Sequence, residues 1–202
     1  MIKERKRKEN EFRKEMILTA AEKIFGKKPY DEVSVIEISK ESGVCLQSIY
    51  NHFGSKKKLY KNMIFFRIDK FKKELDVALK EKSDSLSLLK KWTEVFFKSM
   101  QNFPQFFPVF VREKMYYEWG VESHLFSELK KVFKKEEERL SCLLKKAQKE
   151  KYLKDIPVQY LKSLFFANVQ SKLEYHFKVK KCCEVKECVE EIFSNFLYGL
   201  KG

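Results

Sequence analysis

Of its 202 residues only 6 are glycine and 4 are proline, too few turn-formers for a chain of this length rich in short strands. No stretch approaches the roughly 20 consecutive apolar residues that cross a bilayer. The start, M-I-K-E-R-K-R-K-E-N-E, has no apolar core, so no secretory signal and a cytoplasmic location are expected. A glycine-rich phosphate loop, a paired nucleophile and base, and metal-ligand spacing are all missing, which leaves an enzyme reading without support. The cysteines (45, 142, 182, 183 and 188) are odd in number and form no CxxC pair. Such residues read first as reduced small hydrophobes. Cys182, Cys183 and Cys188 lie near His176 in sequence, which keeps a thiol- or metal-responsive role as an alternative. Adjacent cysteines are awkward tetrahedral ligands, however, and no metal or cofactor is expected. Acidic residues are also short, 29 against 43 Lys and Arg, for a net charge of +14. Residues 1–70 hold 17 basic and 10 acidic side chains, 17 − 10 = +7. That balance favours a polyanionic partner, while much of the remaining charge reads as solvated surface.

What is abundant is apolar material at helical spacing: 44% of the chain is hydrophobic and 15% aromatic. The periodicity predicts about nine helices and an all-α fold. The first is expected at 9–27 with Phe12, Ile17, Ala20, Ala21, Ile24 and Phe25 inward, preceded by a mobile basic arm at 3–8. Helices follow at about 33–40, 44–51 and 56–81, then from Ser85 (read as its cap) to Asn102. A segment bracketed by Pro104 and Pro108 runs to about 119, Gly120 and Ser123 separate it from a polar helix to about 152, Asp155 and Pro157 open another to 177, and the last spans about 185–200.

Residues 34–59 are the most informative. Ser34 and Glu37 fit a capping box, in which the serine side chain and the glutamate each bond the other's end of the first turn. Val35 and Ile38 share one face of a short helix, and Ser39 lets a crossing helix approach. Gly43 falls where the chain must reverse, and Val44 and Ile49 then resume helical spacing. Two short helices about a glycine turn are the helix-turn-helix pattern. Ser55 reads as an N-cap, yet Lys56, Lys57 and Lys58 fill the first turn that follows. Cations oppose the macrodipole there, a cost that makes sense if a phosphate docks.

With these residues in view the segment Met16–Leu59 resembles the DNA-binding domain of the TetR family of bacterial repressors. The matching residues are I-L-T-A-A-E-K-I-F (17–25), P-Y (29–30), S-V (34–35), I-S (38–39), S-G-V (42–44), I-Y-N-H-F (49–53), and Ser55, Lys56 and Leu59. Pro29 replaces a usual glycine, Cys45 a common Ser or Thr, and Gln47 a frequent glycine. The resemblance implies a three-helix DNA-binding domain at 1–55 and a helical ligand-binding and dimerisation domain at 56–202, sharing the long fourth helix.

Geometry and resemblance together assign the DNA contacts. Leu46, Gln47, Ser48 and Asn51 face base edges, where Gln or Asn can pair with adenine and Leu can touch a thymine methyl. Tyr50, His52 and Lys56 match phosphate-contacting positions, Ser34 adds another, and Arg5 and Arg7 are candidates for the minor groove. One short helix reads DNA weakly, so a homodimer on a palindromic operator is expected. The resemblance implies that apolar stripes on the last two helices form that interface: Leu161, Leu164, Phe165, Val169 and Leu173, then Val185, Val189, Ile192, Phe193, Phe196, Leu197 and Leu200. The resemblance implies a cavity for a hydrophobic inducer in the aromatic segment 92–119, with Trp92, Phe96, Met100, Phe103, Phe107, Phe110 and Tyr117 lining and Glu113 (or Glu94 or Glu118) meeting any cationic group. A regulator without an inducer is the alternative. Membrane-surface binding has less support, because the apolar faces are wide enough to be core.

Overall fold

The computed structural model describes residues 2–179 and 184–198, without the side chains of Ile2 and Phe126. Cys182, Cys183 and Leu200 lie outside the described residues. Among those residues the chain is all-helical, with nine α-helices and no strand: α1 (Ile2–Phe25), α2 (Val35–Ser42), α3 (Leu46–Phe53), α4 (Lys56–Ala78), α5 (Ser85–Asn102), α6 (Phe106–Glu118), α7 (Phe126–Lys149), α8 (Val158–Lys178) and α9 (Val185–Tyr198). A single 3-10 turn at Tyr30–Glu32, which periodicity does not signal, follows α1. No described helix is long and apolar enough to cross a membrane.

The basic arm is not a separate tail: α1 already begins at Ile2. Nothing in residues 2–25 breaks a helix. Three i,i+4 pairs, Glu4–Lys8 at 3.9 Å, Arg7–Glu11 at 3.8 Å and Glu9–Arg13 at 3.2 Å, offset the repulsion among its cations. Phe12 does not join the core and is 65% exposed, whereas Ile17, Ala20, Ala21 and Phe25 are buried as expected. The cap of α5 is also one residue earlier than read. Asp84 accepts from the Ser87 N–H at 3.0 Å. Ser85 is instead buried, and its N–H and hydroxyl both donate to Glu150, at 2.9 and 2.7 Å.

Contacts gather into two compact units, one holding residues up to Lys70 with Gln105–Phe126, the other Phe71–Pro104 with the chain from Ser127 on. The division falls within α4, and α6 belongs to the first unit.

In that first unit α1 packs on α2 over Ile17, Ala21, Phe25 and Ile38, with Ile49, Leu59 and Met63 closing the core. Gly26 is required by space, since a Cβ there would lie 2.3 Å from the Gln105 carbonyl oxygen. Arg67 of α4 and Glu22 of α1 form a buried ion pair, 6% and 5% exposed. Burial pushes the Glu22 carboxyl above its usual range, and the Arg67 hydrogen bond and charge oppose that rise. A second buried group ties α6 in. Tyr60 donates to Glu113 at 2.7 Å, Ser123 to its other oxygen at 3.0 Å, and Arg112 to the Phe25 carbonyl at 3.1 Å. Burial, and after it the Glu113 charge, raise the Tyr60 hydroxyl far above an ordinary phenol.

The second unit packs α5, α8 and α9 together. Trp92 stacks on Phe96 with centroids 5.2 Å apart and meets Phe71, Phe165 and Phe166 edge-on. Leu161, Phe165, Val169, Val189 and Phe193 are at most 3% exposed within one chain. Within one chain these five side chains are this unit's own core. Phe196, half-buried, packs on Phe165 at 5.4 Å and joins the same cluster. The outward stripe of α8 is instead Tyr160, Ser163, Ala167, Ser171 and Tyr175.

Removing one member of the Glu22–Arg67 pair takes the opposite charge away from a buried group, which typically costs about 3–5 kcal/mol. Glu22→Ala is expected to lower the stability by that amount, and Glu22→Leu with Arg67→Met to recover most of it. Chemical denaturation of the three proteins measures both outcomes.

Candidate nucleic-acid interface

The start of α2 is fixed by side chains, and both short helices end on glycines. Ser34 accepts from the Ile36 N–H at 3.1 Å and its own N–H donates to Glu37 at 2.8 Å, completing the capping box. Lys28 reaches back to the same carboxylate. Its hydrogen bond, then that of the Ser34 N–H, hold the Glu37 carboxyl below the usual carboxylate range. Gly43 ends α2 at φ 67°, ψ 12°, the left-handed region where a Cβ is strained. Ser39 does more than save space, because its hydroxyl donates to the Val44 carbonyl at 2.7 Å across the turn. Val44 N–H in turn donates to Ser42 Oγ at 3.3 Å. These bonds and the burial of Ile38, Ile49 and Phe53 set how α3 crosses α2.

The inward side of α3 thus consumes Ile49 and Phe53, and its outward side is polar. Gln47 and Asn51 are exposed, Ser48 and Leu46 half-buried beside them, and Tyr50 is 42% exposed. Gln47 Nε2 donates to Asn51 Oδ1 at 3.0 Å. His52 is half-buried with its ring 6.1 Å from that of Phe53, at the base of the helix. Gly54, at φ 76°, turns the chain into Ser55, whose hydroxyl accepts from the Lys58 N–H at 3.2 Å and so caps α4. Lys57 and Lys58 are exposed in that first turn.

Lys56 is held less freely than its neighbours. Its ammonium lies 4.5 Å above the Tyr30 ring and donates to the Asp31 carbonyl at 3.3 Å. His124 joins the same cluster, its ring 4.0 Å from that of Tyr30 and its Nε2 3.2 Å from Asp31 Oδ1. Sequence reasoning misses this group because its members are spread from residue 30 to 124. The Pro29–Tyr30 pair is the one local sign of it.

A groove of about 440 Å³ opens between α1 and the start of α3, lined by Phe12, Met16, Val44, Cys45 and Ser48, with Glu9 and Arg13 at its rim. Arg5 and Arg7 stand on exposed turns of α1, and Arg7 is paired with Glu11. The eight residues assigned to an inducer divide between the units: Trp92, Phe96, Met100 and Phe103 in one, Phe107, Phe110, Glu113 and Tyr117 in the other. Both Glu113 oxygens are engaged by Tyr60 and Ser123. No cluster of potential metal ligands occurs among the described residues.

A capped helix, a glycine turn and a second helix whose polar side faces outward define a helix-turn-helix protein of the DNA-binding regulator class. Residues 17–63 match the family model described as bacterial regulatory proteins, tetR family, so this segment carries the DNA-binding domain of that family. No curated protein matches in sequence. Similar solved structures include the TetR family transcriptional regulator PfmR from Thermus thermophilus, 19% identical at a TM-score of 0.74, covering 92% of this chain and 99% of that one. The fatty acid degradation regulator FadR from Bacillus halodurans is 18% identical at 0.74, covering 94% and 96%. FadR from Bacillus subtilis, solved in complex with stearoyl-CoA, is 15% identical at 0.72, covering 92% and 98%. At these identities the likeness is one of fold.

The Ser34 cap should be measurable without DNA. Ser34→Ala is expected to cost about 1 kcal/mol of stability and Ser34→Thr much less, read as thermal midpoints of the free protein.

Proposed function

We propose that this chain is a homodimeric repressor that leaves a palindromic operator when a hydrophobic small molecule binds. The observation that carries the DNA half is the outward side of α3: Gln47 and Asn51 stand toward solvent, with Ser48 half-buried beside them, next to a lysine-filled helix start. Amide side chains suit base edges, and Lys57, Lys58, Tyr50 and Ser34 suit phosphates on either side. Lys56 serves the same backbone while braced by Tyr30.

Support for an apolar ligand comes from the aromatic cluster about Trp92 and Phe96 and from the stearoyl-CoA complex of a protein with the same fold. A long-chain acyl group is the natural first probe. A ligand that prefers a dimer whose recognition helices are out of step with the operator shifts the population away from DNA.

The decisive experiment measures binding to duplexes selected from a random pool, across salt and with added long-chain acyl probes. Log affinity should fall linearly with log salt, by about 0.9 for each phosphate neutralised, and weaken as the acyl probe is added. Salt-steep binding that no apolar probe alters leaves a regulator without an inducer; absence of selected binding removes the DNA reading.

Dimerisation is assigned to the exposed stripe of α8. Ser163, Ala167 and Ser171 recur every four residues, so another helix can approach closely, and Tyr160 and Tyr175 flank them. Ala167→Glu is expected to weaken the dimer at least about tenfold, since it buries an unpaired charge, with helix content unchanged. Sedimentation equilibrium and circular dichroism distinguish that outcome from unfolding.

A further inference from the structure

We infer that Gln47 and Asn51 read DNA as one unit, in which Asn51 orients Gln47, so that the pair specifies two neighbouring bases rather than one each independently. This rests on the reading of α3 as the base-contacting helix. Both side chains are exposed, one helical turn apart, and joined by the 3.0 Å bond from Gln47 Nε2 to Asn51 Oδ1. That bond fixes which atoms are left over. Gln47 retains Oε1 as acceptor and one Nε2 hydrogen as donor. Asn51 has spent its oxygen on Gln47 and retains the two hydrogens of Nδ2.

The remaining pattern is chemically specific. An adjacent acceptor and donor on one planar amide match the N6 amino group and N7 of adenine in the major groove. A donor-only amide beside it matches a base that presents an acceptor there, guanine through O6 or N7, or thymine through O4. The pair therefore describes a two-base preference, an adenine next to a base carrying a major-groove acceptor. An unsupported Gln on a helix surface samples many rotamers, and ordering it opposes binding. A neighbour that already holds the amide removes part of that cost. Asn51 is in this sense a positioning residue for Gln47 as well as a contact of its own.

Selection of bound duplexes from a random pool, with sequencing, tests this on the full-length protein and three variants. Gln47→Ala should lose the adenine preference, from about tenfold to near none. Asn51→Ala should lose the neighbouring preference and weaken the adenine one, because Gln47 is no longer held. Asn51→Asp is the informative variant: it keeps an oxygen for Gln47 Nε2 but has no donor of its own. It should retain the adenine preference and lose only the neighbouring one, even as its added charge lowers affinity for all sequences. An Asn51→Ala protein that still prefers adenine as the wild type does overturns the inference while leaving DNA reading intact. A wild-type pool with no common motif overturns the base-reading assignment itself, and this pairing with it. Circular dichroism of each variant confirms that the helices are formed, since both side chains lie on the surface.

Discussion

The reversal at Gly43 is the constraint on which the DNA-facing half depends. A left-handed residue there lets α3 leave α2 after a turn too short for any other path, and the Ser39 hydroxyl closes the turn onto the Val44 carbonyl. With the crossing fixed, helical geometry does the rest. Ile49 and Phe53 must point into the core, so Gln47, Ser48 and Asn51 must point out. A helix of only eight residues would not hold its shape in water alone. Its form is borrowed from the packing of Ile38, Ile49 and Phe53 beneath it.

The first unit is knit by polar groups that burial makes costly to separate. Glu22 and Arg67 join α1 to α4, and Tyr60, Glu113 and Ser123 join α4 to α6 and the turn after it. Each is weak evidence for stability, because desolvation consumes most of the attraction. Their value is in fixing position: a buried carboxylate with two donors has few alternative arrangements, whereas Phe or Leu in its place would tolerate sliding. Together with the missing Cβ of Gly26, they explain why α6 belongs with α1–α3 although all of α4 and α5 separate it from them in sequence.

Much of this is legible in the sequence for definite reasons. Caps and the glycine turn are local chemistry, so the Ser34–Glu37 box, Gly43 and the Ser55 cap can be read from adjacent residues. Helix number follows from apolar spacing, which also places α5 and α8 within a residue or so of their ends. The failures are of two kinds. The basic segment reads as a tail because its charges repel, but the i,i+4 acids that compensate them are equally visible and carry more weight. For the stripes of α8 and α9, periodicity shows that a face is buried without showing against what. Leu161, Phe165 and Val169 face their own chain. Contacts that close over long separations, such as Tyr30 with His124, leave no pattern in one sequence.

The burial of Leu161, Phe165 and Val169 within one chain also bears on how a dimer can form. A surface must remain apolar or small after folding to serve a partner, and on α8 the outward side carries Ser163, Ala167 and Ser171 between Tyr160 and Tyr175, with Gln170 beside them. Such a face offers little area per residue to the hydrophobic effect, so close backbone approach and the flanking rings have to supply the contact energy. A large charged side chain at its middle therefore acts by distance as much as by desolvation, pushing two helices apart along their whole length. By the same reasoning the exposed side of α9, which carries Glu187, Glu190, Glu191 and Ser194, gains nothing from facing its own copy across a two-fold axis unless lysines come with it. Lys90 and Lys172, already bound to Glu190 and Glu191 within one chain, neutralise two of those charges and make that side compatible with a second copy.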